Sequence, residues 1–131
     1  MTKPTRVFYC VLLSMLGLLA PVASVADDGD LAWARQFAGD NSTDGKSIAL
    51  DSTRNAISAG VFLGTTDFDP DAGTQALTAD APDGYISKLD KTGAFVWAKQ
   101  LDGSVSDIRV AVDADNNIYA AGSFGGTTDF D

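Results

Sequence analysis

The sequence contains no histidine, and its one cysteine, Cys10, lies in an apolar stretch near the N-terminus. Without histidine, neither a Ser-His-Asp triad nor a Cys-His pair can be assembled within the chain. Zinc sites, which draw mainly on Cys and His, are not expected, and no Gly-rich phosphate-binding loop is present. We therefore predict no catalytic residues and no bound organic cofactor, and we predict that the chain is not an enzyme.

Glutamate is also absent, so all 18 acidic residues are Asp, against nine Lys and Arg and a net charge of −9. Asp favours turns because its short side chain bonds nearby backbone, whereas Glu favours helices. Together with 13 Gly, this bias predicts a turn-rich, all-β protein. An acidic surface repels nucleic acid and anionic lipid, so neither is an expected partner.

The N-terminus has the three parts of a secretory signal peptide. Lys3 and Arg6 precede the apolar run Val7–Ala20, and Ser24–Ala26 places small residues before Asp27. A membrane-spanning helix needs about 20 apolar residues, more than this run supplies. We predict a signal peptide over 1–26 with cleavage after Ala26, a short linker over 27–30, a secreted or cell-envelope location, and no membrane insertion of the processed chain.

The processed chain repeats itself. Ser47–Asp69 and Arg109–Asp131 share twelve identities in 23 positions without a gap, and both end in Thr-Thr-Asp-Phe-Asp. Upstream, Leu31–Gln36 matches Phe95–Gln100 at an offset of 64 instead of 62, and polar loops absorb the difference. Self-similarity at such a period is the signature of a repeat architecture.

Each repeat is predicted to hold four short strands. The first strand carries a tryptophan, and a long loop over 64–83 separates the third strand from the fourth. The predicted strands of the first repeat are 31–37, 47–50, 56–62 and 84–89, and those of the second are 95–101, 108–112 and 118–124. Gly60 and Gly122 are predicted to permit close backbone approach.

These strands are apolar on both faces in places, so each sheet needs a neighbour on either side. Four-stranded units arranged radially form a β-propeller of about 4–8 blades. We predict a complete propeller-type repeat over 31–93 and a second repeat over 94–131 that stops before its fourth strand. The chain is then an N-terminal fragment that self-associates through uncovered blade faces.

The repeated pattern resembles a known family. The elements Trp-Ala-(Arg/Lys)-Gln, Asp-x-x-x-Asn, Ala-Gly-x-Phe-x-Gly-Thr-Thr-Asp-Phe-Asp and Lys-Leu-Asp-Lys-Thr-Gly resemble the bacterial secreted β-propeller repeat family. The resemblance implies a seven-bladed propeller-type fold in an exported protein and brings no catalytic motif. The first repeat departs at Arg54 and Ala56, where the second has Asn116 and Ile118, which predicts a looser first turn.

One acidic loop could bind a metal. Asp67, Asp69 and Asp71 alternate along the chain, an arrangement that lets a turning loop converge oxygen ligands on Ca²⁺. The loop is not an EF-hand, because Ala72 replaces the sixth-position glycine and Thr78 the twelfth-position glutamate. The alternative is that Asp67 and Asp69 cap turns while Phe68 serves as a packing residue.

The two tryptophans also have two interpretations. Exposed aromatics bind sugars in secreted modules, whereas recurrence of Trp33 as Trp97 favours core packing, since large aromatics dominate buried area. We predict an exported scaffold or binding module that recognises a protein or a glycan through its loops. The alternatives are the N-terminal part of a larger secreted propeller enzyme, such as a lyase or glycosidase, and a calcium-stabilised adhesive repeat array.

Overall fold

A computed structural model of the chain describes residues 31–126. The predicted signal peptide, the linker and the second Thr-Thr-Asp-Phe-Asp stretch lie outside the described residues. The described part is built from antiparallel strands, which confirms the predicted all-β fold. The strands are β1 (Ala38–Gly39), β2 (Thr43–Leu50), β3 (Ala56–Asp67), β4 (Ala76–Leu89), β5 (Phe95–Leu101), β6 (Ser104–Val112) and β7 (Ile118–Gly125).

The first sheet is a four-stranded antiparallel meander in which β2, β3, β4 and β5 are neighbours in chain order. The short strand β1 pairs with the far end of β3, where Ala38 lies opposite Asp67. This arrangement is that of a propeller-type blade. The remaining strands, β6 and β7, form a hairpin that makes the second sheet.

The second sheet packs on the first through β6. Val105 and Ile108 of β6 are buried against Ala59 of β3, and Val110 packs at the margin of the same cluster. Hydrophobic side chains from neighbouring sheets cover one another here, as expected of stacked repeats. This cluster is the first of two cores.

The second core lies on the opposite face of the first sheet. Phe62, Phe68 and Tyr85 are buried together, and Phe37 packs against them. Phe37 belongs to residues 31–37, which precede β1 and which we call the N-terminal segment. The rings of Phe62 and Phe68 are 5.3 Å apart and nearly perpendicular, at 87°, a preferred geometry for aromatic pairs. The predicted packing role of Phe68 is confirmed.

The structure corrects two of the predicted elements. Residues 64–83 are not a long loop, because Gly64–Asp67 belongs to β3 and Ala76–Asp83 belongs to β4, and only 68–75 connects them. Across this extension the hydroxyl groups of Thr65 and Thr78 are hydrogen-bonded at 3.1 Å. The tryptophan segment 31–37 is not a strand, and the fourth strand of the sheet is instead its repeat counterpart, Phe95–Leu101.

The predicted close approach at the two equivalent glycines is confirmed. A Cβ at Gly60 would clash with the backbone oxygen of Asp44, and one at Gly122 would clash with that of Asp107. Both clashes arise beside a bulge in the neighbouring strand, between Gly45 and Ser47 in β2 and between Val105 and Asp107 in β6. Only glycine therefore fits at these two positions, because there is no room for a Cβ atom.

Within residues 31–126, no helix has the length and apolar character needed to cross a membrane.

Candidate functional site

Three hairpin turns in the described part share one construction, in which a single carboxylate organises five residues. Asp51 Oδ1 accepts hydrogen bonds from the backbone of Thr53 and Asn55, both at 2.9 Å. Asp90 does the same for Thr92 and Ala94, and Asp113 does so for Asp115 and Asn117. Short polar side chains that bond backbone two residues ahead are typical of tight turns.

The fourth residue of each turn has left-handed backbone geometry, with φ of 67° at Arg54, 84° at Gly93 and 66° at Asn116. Gly and Asn adopt this region readily, whereas Arg rarely does. The prediction of a looser first turn is nevertheless wrong. Arg54 N–H donates to Asp51 O at 2.9 Å, as Asn116 N–H donates to Asp113 O at 3.1 Å.

An ion pair anchors the first turn to the sheet. Lys88 Nζ, on β4, lies 2.8 Å from Asp51 Oδ2. The Lys88 ammonium is the main cause of an Asp51 pKa far below its ordinary value of 3.8, and hydrogen bonds from Asn55 and Thr53 add to the effect against the opposing effect of burial. The Asp51 carboxylate is therefore firmly ionised and tied to the sheet.

The three turns lie together at one end of the two sheets. The β2–β3 and β4–β5 turns share an end because alternate connections of an antiparallel meander do so. The β6–β7 turn joins them, since the Ser52 N–H donates to Asn116 Oδ1 at 2.8 Å. We call this surface, formed by residues 51–55, 90–94 and 113–117, the turn face.

The N-terminal segment is bound along the turn face. Trp33 Nε1–H donates to Lys91 O at 3.1 Å, and Arg35 Nε–H donates to Gly93 O at 3.0 Å. An added Cβ at Gly93 would meet the Trp33 indole at 3.0 Å, so this contact also depends on glycine. These bonds place the tryptophan beside the turn instead of in a sheet.

A groove of about 540 Å³ opens between the N-terminal segment and the turns. It is lined by Ala32, Trp33, Leu50, Arg54, Lys91 and Thr92. Leu50 keeps 62% of its exposure, and within residues 31–126 neither Arg54 nor Lys91 forms a salt bridge. The groove thus combines apolar surface with two positively charged side chains that form no salt bridge within the described residues, in an otherwise acidic protein.

Of the three predicted calcium ligands, Asp67 lies at the end of β3 opposite the turn face, and Asp69 and Asp71 lie in the 68–75 connection. Asp67 Oδ1 accepts from the backbone N–H groups of Asp69 and Gln75, and Asp69 Oδ1 accepts from that of Asp71. Asp71 accepts from the Phe95 N–H and lies 3.7 Å from Arg35. No group of three or more acidic residues in the described region is arranged to hold a metal ion, and calcium binding by these residues stays a prediction.

The tryptophans belong to neither buried core. Trp33 and Trp97 are both half-buried, and the two core clusters are formed by other side chains. The prediction of core packing for both is therefore wrong. Trp33 instead lines the groove, a position that repeat equivalence with Trp97 did not indicate.

Sequence reasoning missed the groove and the Lys88–Asp51 pair because their residues come from separate elements. The sequence pattern Asp-x-x-x-Asn located the turns at 51–55 and 113–117, whereas Asp90 entered only as part of the Lys-Leu-Asp-Lys-Thr-Gly element of the resemblance. Thr92, two positions after Asp90 as Thr53 is after Asp51, and Gly93 at the left-handed position were the available signals for a third turn of the same kind.

Comparison with known proteins gives one similarity relevant to the fold. An uncharacterized WD repeat-containing protein of Acanthamoeba polyphaga mimivirus is 25% identical over 126 residues, which cover 83% of this chain and 9% of that protein. The chain thus spans about 9% of the length of the curated relative it matches. No family model matches the chain, and no solved structure matches it. The similarity and the antiparallel sheets agree on a propeller-type repeat.

Proposed function

We propose that the chain is part of an exported propeller-type repeat protein of bacterial type that acts as a protein-binding scaffold, with the turn face as its binding surface. The observation that carries this proposal is the groove between Trp33, Leu50, Arg54 and Lys91. The similarity of the chain to a WD repeat-containing protein supports a repeat-based framework. Export is supported by the N-terminal sequence alone.

The groove favours a particular kind of partner. Leu50 and Trp33 give its lining apolar surface, and aromatic side chains are enriched at protein interfaces. Arg54 and Lys91 add positive charge to the same lining, and such charge increases association rates and specificity more than affinity. We infer a partner segment that carries apolar side chains next to carboxylates.

The walls of the groove are already ordered. Arg54 is held by the carboxylate-centred turn, and Lys91 belongs to a turn that Trp33 and Arg35 bond from the N-terminal segment. A preformed surface avoids much of the entropic cost of ordering loops on binding. Such a preformed surface suits a binding scaffold.

Panning a random peptide library on the immobilised protein tests the proposal. We expect enriched peptides to combine acidic and apolar residues and to lose binding to the Arg54→Ala/Lys91→Ala variant. The matched control is Lys46→Ala, which removes a cation paired with Asp44 at 3.2 Å outside the groove. Enriched peptides that bind the double variant as well as the wild type would refute the assignment of the groove.

A glycan array run in parallel distinguishes a glycan partner from a protein partner. Sugar binding that disappears in Trp33→Ala but persists in Arg54→Ala/Lys91→Ala would assign the groove to a glycan. Peptide binding that depends on both cations assigns it to a protein.

A further inference from the structure

A second, smaller pocket lies between the N-terminal segment and the first sheet. Its volume is about 200 Å³. Its lining includes Trp33, Phe37, Ile48, Ala56, Tyr85 and Leu89. Trp33 also lines the groove of the turn face, so the two openings adjoin at one indole ring. We call the smaller opening the anchor pocket.

The sheet side of the anchor pocket favours an apolar group. Ala56 and Leu89 keep only 5% of their exposure and Tyr85 only 3%. Ser58 also lines the pocket, but the Ser58 and Ser87 hydroxyl groups are hydrogen-bonded to each other at 2.7 Å. The hydroxyl of Ser58 thus has a partner within the sheet and does not require one from a ligand.

The opposite side of the anchor pocket is aromatic and held in place. The ring centroid of Phe37 lies 5.0 Å from that of Phe68 and 6.1 Å from that of Tyr85, and Trp33 is bonded to Lys91 O. A cavity of about 150 Å³ lined by aliphatic and aromatic side chains is large enough to bind benzene. The volume and lining of the anchor pocket therefore suit one aromatic ring, which would find other rings to pack against.

The anchor pocket and the groove are two residues apart along β2. Ile48 lines the first and Leu50 lines the second, and alternate side chains of a strand point to the same face. At a rise of about 3.3 Å per residue, the two positions are about 7 Å apart. The groove adds the positive charges of Arg54 and Lys91, which complement a carboxylate. An extended segment lying along β2 reaches both openings with side chains that are two residues apart.

We propose that the anchor pocket binds an aromatic side chain of the partner protein, and that the groove binds a carboxylate two residues away in the same partner segment. The recognised pattern is Phe-x-Asp or its reverse, in an extended conformation. Buried aromatic anchors supply much of the energy of an interface, whereas charges fix its register. The proposal rests on the proposed function, because the cations of the groove place the carboxylate.

NMR amide shifts of the isotope-labelled full chain, titrated with capped tripeptides, test the proposal and detect weak binding. We expect Phe-Gly-Asp or Asp-Gly-Phe to shift the amides of Ala56 and Leu89 at the anchor pocket. The same peptide should shift those of Arg54 and Lys91 at the groove. Ala-Gly-Asp, which lacks the ring, and Phe-Gly-Asn, which lacks the charge, should each bind about tenfold more weakly or worse. Peptides with no residue or three residues between Phe and Asp should bind no better than Phe-Gly-Asn.

Two variants change the anchor pocket itself. Ile48→Ala removes part of its wall at a side chain that keeps 69% of its exposure, and it should weaken binding of the tripeptide about fivefold or more. Ala56→Leu places a side chain inside the pocket and should abolish the shift at Leu89. If Ala56→Leu fails to fold, Ile48→Ala still provides the test. The matched control is Val96→Ala, an exposed position outside the lining of both openings, which should bind like the wild type.

The proposal is overturned if Phe-Gly-Asp leaves the amides of Ala56 and Leu89 unshifted, or if Ile48→Ala binds it as tightly as the wild type does. Equal binding of Phe-Gly-Asn and Phe-Gly-Asp would overturn the pairing of ring and carboxylate. Failure of the proposed function gives a different result, since selected peptides would then bind Arg54→Ala/Lys91→Ala as tightly as the wild type. A working groove without an anchor pocket would instead bind Ala-Gly-Asp and Phe-Gly-Asp equally, with shifts confined to the turn face.

Discussion

The Lys88 ammonium lies 2.8 Å from Asp51 Oδ2, and the two side chains keep only 20% and 3% of their exposure. This ion pair ties the β2–β3 turn to the middle strand β4, so the turn is anchored by tertiary contact as well as by local hydrogen bonds. At the equivalent turn, Tyr119 Oη–H donates to Asp113 Oδ2 in the place of Lys88, whereas Asn55 and Asn117 donate to the two carboxylates in the same way. The two turns thus have the same backbone hydrogen bonds, but an ion pair from β4 anchors the first and a tyrosine hydroxyl bonds the second.

This difference predicts unequal effects of the same substitution. Asp51→Asn keeps an oxygen for the turn but leaves the Lys88 ammonium shielded without its counter-charge, which is costly. Asp113→Asn removes no such partner. We expect Asp51→Asn to lower the melting temperature clearly more than Asp113→Asn, as measured by circular dichroism, and equal decreases would contradict an anchoring role for Lys88.

Acid is expected to destabilise the protein through the same turns. Lys88 holds the pKa of Asp51 well below its ordinary value, and Thr92 and Asn117 lower those of Asp90 and Asp113. Because the folded chain binds these protons less readily than the unfolded chain, protonation favours unfolding. The free energy of unfolding should be retained at neutral pH and decrease as the pH falls below about 4.

Urea unfolding across this pH range measures the effect. Asp51→Asn removes one of the carboxyls whose pKa is lowered by folding. The free energy of unfolding of this variant should therefore decrease less steeply with falling pH than that of the wild type. A variant with the same slope as the wild type would show that the acid sensitivity arises elsewhere.

Gly60 should tolerate no side chain. In Gly60→Ala the new Cβ meets the Asp44 backbone oxygen, and overpacking of this kind costs about 1–3 kcal/mol or more. The control is Gly45→Ala, whose Cβ would find its nearest neighbour, Tyr85 Oη, at an ordinary 3.7 Å. We expect that change to alter the free energy of urea unfolding by no more than about 0.5 kcal/mol.

Ile108 should be the main contact between the two sheets, since it is fully buried against the first sheet from a strand of the second. Ile108→Ala is expected to cost about 2–5 kcal/mol, as large-to-small core substitutions do. Val96→Ala, at a side chain that keeps 46% of its exposure, should cost far less. Hydrogen exchange should show β6 and β7 losing protection before β3 and β4, and uniform loss would contradict a separable second sheet.

The predicted calcium site can be separated from the turn in which its residues lie. Asn at positions 67, 69 and 71 retains the oxygen that accepts the observed backbone bonds, so the triple variant should fold, but it lacks the carboxylate charge that calcium requires. If these residues bind calcium, millimolar Ca²⁺ should raise the melting temperature of the wild type alone. Equal responses in both proteins would contradict the site.

Several local features could be read from the chain because they depend on residues close in sequence. Asp51 and Asp113 bond atoms two and four positions ahead, so the composition of the turn is sufficient to predict it. Gly60 and Gly122 stood out through the repeat, and the all-β class followed from turn-forming residues and strand patterns. These predictions are confirmed.

Pairing between distant strands required the tertiary structure. Residues 31–37 and 95–101 share Trp, Ala and Gln at equivalent positions, yet only the second segment pairs with β4, because strand formation depends on an available edge as well as on propensity. For the same reason Thr65 extends β3 once Thr78 lies opposite, and Trp33 lines a groove. Short-range chemistry thus determined the turns and the repeat, whereas spatial proximity decided the limits of the sheet, the partner of Lys88 and the groove beside Trp33.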